Sequence, residues 1–116
     1  MYYKVCAREG TGLVSMVVRG RAKVSYGIGQ VSTPPPWLES RGYGLLVFAT
    51  LERAREWARV LGDGYAVFAC TVGKVVPLPP HCCVFRAGFK RELVPTLVPW
   101  PAGTVMVTSL TLKREV

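Results

Sequence analysis

Asparagine is absent from the 116 residues, glutamine occurs only at Gln30 and histidine only at His81. Loss of the amides that deamidate when hot, with arginine outnumbering lysine ten to five, suits a thermophilic source. No apolar run approaches the ~20 residues a helix needs to cross a bilayer; Leu45–Ala49 and Tyr65–Cys70 are among the longest. The opening Met1–Glu9 lacks the charged-then-apolar layout of a secretory signal. Both absences predict an intracellular chain without a membrane segment.

Four cysteines are present, but none stands in a Cys-x-x-Cys spacing, and Cys82 and Cys83, adjacent to each other beside the lone His81, are poor geometry for zinc. The expectation is no metal site and reduced thiols, with Cys6 and Cys70 acting as small buried hydrophobes and a disulfide as the alternative. Gly-Lys-Ser/Thr is absent, and the strand-to-helix junction Phe48-Ala49-Thr50 holds no glycine. A Rossmann or P-loop nucleotide cradle is thereby excluded, and the four Gly-x-Gly pairs read as turns. With one histidine, and with Glu52 and Glu56 sitting among arginines, no complete acid–base or nucleophilic set is legible.

What the chain does have is apolar residues and positive charge. Half of it is apolar and valine alone occurs 18 times, which excludes a dominantly disordered state. The length fits a single domain spanning 1–116. Fifteen Lys and Arg against seven Asp and Glu give a net charge of +8. Such a balance favours polyanionic partners, nucleic acid among them, or serves solubility alone.

The pattern along the chain predicts strands over Tyr2–Ala7, Leu13–Val18 and Ala22–Tyr26, with a turn at Glu9–Gly12. Gly27–Trp37 reads as a connection stiffened by Pro34-Pro35-Pro36, with Trp37 packing back on the core. Tyr43–Phe48 is a strand. Thr50 is a helix N-cap, and Leu51, Ala54, Trp57, Ala58 and Leu61 recur at helical spacing, predicting an amphipathic helix over about 50–61. Arg53, Glu56 and Arg59 fall on its opposite side, Gly62 ends it, and Tyr65–Val72 follows as a central strand, giving a β-α-β unit. Val75–Pro80 cannot be an interior strand, because proline lacks the donor. Cys82–Phe85 reads as a short strand. Pro95, Pro99 and Pro101 interrupt regular structure until a last strand over Thr104–Leu112, with Val105, Val107, Ser109 and Thr111 on one face. The tail Lys113–Val116 is expected to fray. The sum is an α+β fold: a mostly antiparallel or mixed sheet, one well-defined helix and long proline-rich loops.

One cluster carries the nucleic-acid expectation. Arg19, Arg21 and Lys23 lie within five residues, beside Tyr26, so cations reach a phosphate backbone while a ring stacks on an unpaired base. Arg86, Phe89, Lys90 and Arg91 form a second, similar group. No RNP-like aromatic pattern, GXXG clamp or helix-turn-helix pair accompanies them, so binding of this kind is non-specific.

The segment Gly44–Phe48, Ala49–Trp57 and Tyr65–Val72, together with Tyr3-Lys4-Val5 and Leu13-Val14-Ser15, resembles small uncharacterised viral and phage proteins that open Tyr-Lys-Val and carry a Thr-Leu-Glu helix between strands. That resemblance implies a viral source and, with it, the host cytoplasm. The same strand–helix–strand order distantly resembles ADP-ribosyltransferase-like folds. Those enzymes bind NAD in a cleft with an early-strand Arg or His, a position Arg8 matches, and a late-strand Glu; Thr104–Leu112 holds no acidic residue. The leading expectation is a non-catalytic basic binding or assembly module, without cofactor, whose partner is nucleic acid or another protein. The alternatives are an NAD-using ADP-ribosyltransferase-like enzyme with Arg8 in its site, and a non-specific nucleic-acid binder.

Overall fold

Tyr2–Glu9 forms β1 and turns back through Gly10-Thr11 into β2, Gly12–Ser15, with Glu9 opposite Gly12. A two-residue hairpin loop needs a left-handed residue, and Gly10, at φ 60°, supplies it. The computed structural model describes residues 1–15, 24–80, 82–87 and 93–116. The predicted strand ends at 16–18 and 22–23 lie outside these residues. Two short strands follow, β3 at Ser25–Tyr26 and β4 at Val31–Ser32. The triple proline is extended only through Pro35, because Pro36 opens a single helical turn, α1, at Pro36–Glu39. Proline's fixed φ and missing donor suit that first helical position. Trp37 does not pack back on the core: it stays 37% exposed, with the Arg41 guanidinium 5.5 Å from its ring centre.

The helix forms where the spacing predicts it. After β5, Leu45–Phe48, the Thr50 hydroxyl accepts the Arg53 N–H at 3.3 Å and α2 runs Leu51–Leu61. Gly62, at φ 94°, stops it, and its N–H donates to the Ala58 carbonyl. Leu51, Ala54, Trp57, Ala58 and Leu61 pack against Val5, Phe48 and Val67, so the whole apolar stripe faces the sheet. Arg53 and Glu56 pair at 3.3 Å on the solvent side.

Next come β6 at Tyr65–Val72, β7 at Val75–Val76, β8 at Cys82–Ala87, β9 at Leu93–Val98, β10 at Thr104–Val107 and β11 at Leu110–Glu115. The main sheet runs β4-β11-β6-β1-β5-β10-β7, with β2 and β3 branching from β1, and every ladder in it is antiparallel. The fold is therefore α+β and mainly antiparallel. The β-α-β unit is split: β1 lies between β5 and β6 and runs against both, so those two strands are parallel without touching.

The predicted last strand is two. It breaks at Thr108-Ser109; its first half pairs with β5 and its second with β6, on opposite sides of β1. Consecutive strands at both ends of one five-strand path curl the sheet round on itself. The break also shifts the phase. Val105 and Val107 contact the interior cluster before it and Leu110 and Leu112 after it, rather than Ser109 and Thr111. That interior holds Cys6, Tyr26, Leu45, Phe68 and Cys70, while α2 covers the opposite face.

Two further expectations are corrected and one holds. Pro95 sits within β9, paired opposite Phe85 in a separate two-stranded sheet, where each strand keeps an edge that needs no donor. The tail does not fray: Lys113 forms a bulge, Arg114 and Glu115 stay in the ladder with β6, and the Val116 N–H donates to the Val67 carbonyl at 2.9 Å. β7 is an edge strand, as the following Pro77 requires. Among the described residues, no helix is long and apolar enough to cross a membrane.

Candidate functional site

The residues that the sequence singles out do not converge. Arg19, Arg21 and Lys23 lie outside the described residues, as do the Phe89, Lys90 and Arg91 positions. Tyr26 is 7% exposed and packs in the interior cluster, so its ring offers no free face on which a base can stack. Arg8 lies at the end of β1. Its backbone N–H donates to the Gly64 carbonyl at 2.7 Å, and its half-exposed guanidinium pairs with the Glu115 carboxylate. The early-strand arginine thus meets a late-strand acid, because the last strand runs three residues beyond Leu112.

Inside the curled sheet sits a lysine. Lys4 is 4% exposed; its ammonium donates to the Leu46 carbonyl at 2.7 Å and lies 5.3 Å from the Tyr26 ring centre. β1 and β5 pair only at Tyr3 and Phe48, so the Lys4 side chain reaches a backbone acceptor where that ladder has lapsed. No carboxylate pairs with Lys4 among the described residues. The ring face supplies the remaining attraction for the buried charge. Cys6 and Cys70 are buried nearby and both free. Cys6 stands opposite Ala66, four ladder positions from Cys70, or ~13 Å along the strand, beyond the reach of a disulfide. Burial pushes both thiols up to about 11, although the Lys4 charge pulls each one down. These thiols are inert at neutral pH.

A feature with room for a ligand lies on the other side of the molecule, along α2. A groove of about 810 Å³ runs between that helix, β6 and the end of β11. Its lining includes the half-buried Leu51, Ala58, Tyr65 and Val116 and the buried Val67. Glu52, Arg55, Arg59, Asp63 and Glu115 supply the charges around it. Glu115 is already tied to Arg8, whereas the other four make no ion pair among the described residues. Helical spacing explains the wall. Residues 52, 55 and 59 follow one another at three and four positions, so their side chains point the same way, and Asp63 continues the row past Gly62. The order along the wall is negative, positive, positive, negative.

Sequence reading missed this groove because one side is made by the tail it expected to fray. The signal was slight, a single Val116 after the charged step, because the bulge at Lys113 turns Val116 to the face opposite Leu110 and Leu112. Among the described residues, no three His, Cys, Asp or Glu side chains converge as a metal set would. Compared with known family models, with curated proteins and with solved structures, the chain matches none.

Proposed function

We propose that the chain is a non-catalytic binding module that holds a segment of a partner protein in the groove beside α2. The observation that carries this reading is the groove itself: an apolar floor several side chains long, rimmed by charges of both signs, four of which pair with nothing among the described residues. An apolar floor with a few placed polar groups is what a bound segment needs for affinity and orientation. A nucleic-acid backbone suits it less well, since Glu52 and Asp63 close both ends of the wall and repel phosphates. The test is selection from a displayed random-peptide library against the intact chain. Enriched peptides should lose binding to Ala58→Arg, which fills the floor, and to the exposed variant Arg59→Glu, with melting curves confirming that both fold. Failure to enrich any peptide, or enrichment that both variants leave intact, refutes the reading.

A second reading rests on the Arg8–Glu115 pair, which joins an early-strand arginine to a late-strand glutamate beside the same groove. The resemblance to ADP-ribosyltransferase-like folds asks for those two residue types, the arginine to bind NAD and the glutamate to assist. Incubation with NAD, followed by assay of released nicotinamide, tests it. Turnover that disappears in both Arg8→Ala and Glu115→Gln replaces the binding-module reading; no turnover in the native chain ends the enzymatic one.

A further inference from the structure

Arg55 and Arg59 present a contrast within one helix. Arg53 finds Glu56 at 3.3 Å on the solvent side, yet Arg55 and Arg59, one turn apart on the groove wall, pair with nothing among the described residues. Glu52 precedes Arg55 by the spacing that joins Arg53 to Glu56, and that carboxylate is also unpaired. Two free guanidiniums above a half-buried apolar floor form a ready receptor for carboxylates, because each offers a planar fork of donors.

The spacing suits an extended occupant, and acids four apart on a helix would match it equally. Four helical residues rise ~6 Å, and alternate residues of an extended chain stand ~7 Å apart on one side. Resting on the binding-module reading above, we infer that the groove's occupant is an extended acidic segment with the pattern acid–apolar–acid. Its two carboxylates meet Arg55 and Arg59. The apolar residue between them turns away from α2, towards the side of the groove formed by Tyr65, Val67 and Val116. Glu52 and Asp63 at the two ends of the wall then favour basic residues flanking the core, which fixes the register of charge along the segment.

The test uses the full chain and fluorescence anisotropy with a labelled peptide Lys-Val-Glu-Val-Glu-Val-Lys. The Gln-for-Glu version should bind about tenfold more weakly, and so should the version with adjacent acids, Lys-Val-Val-Glu-Glu-Val-Lys. Arg55→Glu with Arg59→Glu, both exposed and safe for folding, should abolish binding of the acidic peptide. The same variant should instead take up Lys-Val-Lys-Val-Lys-Val-Lys, whose outer lysines still face Glu52 and Asp63. If the Gln peptide binds as well as the Glu peptide and both are lost in Ala58→Arg, the acidic-segment inference falls while the groove remains a peptide site. If none of these peptides binds, or a single-stranded oligonucleotide displaces the acidic one as effectively as unlabelled peptide, the inference falls as well.

Discussion

Raising the pH from 7 to 10 should destabilise this protein through Cys6 and Cys70. Both thiols are fully buried and held at about 11 in the folded state, against 9.0 when exposed. The neutral form is the one that folding favours. The stabilisation is therefore complete below pH 9 and is lost as the pH rises towards 11 and beyond, because the unfolded chain gives up its protons first. At pH 10 an unfolded thiol is about nine-tenths ionised and a folded one about one-tenth, which costs about 1.4 kcal/mol each. The two together cost about 2.7 kcal/mol, a large share of a typical ~5–15 kcal/mol total. Urea denaturation at the two pH values should show the midpoint falling by roughly 1–2 M, for a slope near 2 kcal/mol per M. The control is Cys6→Ala with Cys70→Ala, which is less stable at every pH but carries no thiol to titrate. An equal drop in that variant would mean that other groups cause the effect and that the two thiols are not desolvated as the packing requires.

Trp57→Ala should cost about 3 kcal/mol by thermal or chemical unfolding, since the ring packs in the cluster under α2. Trp57→Phe should stay within about 1 kcal/mol of native, because it also removes a buried indole N–H that has no acceptor among the described residues. Arg53→Ala should stay within about 0.5 kcal/mol, as its ion pair with Glu56 is exposed; equal shifts for Trp57→Ala and Arg53→Ala would mean that the helix buries a different face. Lys4→Met should be about as stable as native or more so, because it fills the same space without a buried charge, while Lys4→Ala should cost about 2–4 kcal/mol. A loss above about 3 kcal/mol in Lys4→Met would show that the ammonium's bond to Leu46 outweighs its desolvation.

The parts of the fold that were legible in the sequence are those decided by neighbours along the chain. The helix over 51–61 is written in its stripe, its Thr50 cap and its Gly62 stop, all local, and the apolar Tyr65–Val72 run follows from burial on two faces. What was not legible depended on which strands meet. Pro95 forbids only an interior position, and nothing local shows that β9 belongs to a two-stranded sheet. The break at Thr108-Ser109 does have a trace, two polar residues side by side in an alternating run, but its meaning depends on β5 and β6 lying on opposite sides of β1. The site was less readable than the fold. Arg55 and Arg59 look like any solvated helix face until the tail of the chain is seen packing opposite them.

The bent strand over 104–115 has a bearing on how the protein is made. Its two halves attach to strands at opposite ends of the central set, so no arrangement of residues 1–103 alone can bring the sheet round. During synthesis β1, β5 and β6 can pair early, but they must wait with their outer edges open until residues 104–115 have left the ribosome. Those residues pair with partners 30 to 80 positions upstream, the kind of long loop closure that slows folding. A chain released before residue 104 would hold β1, β5 and β6 with two unguarded edges, a species prone to pair with its own kind.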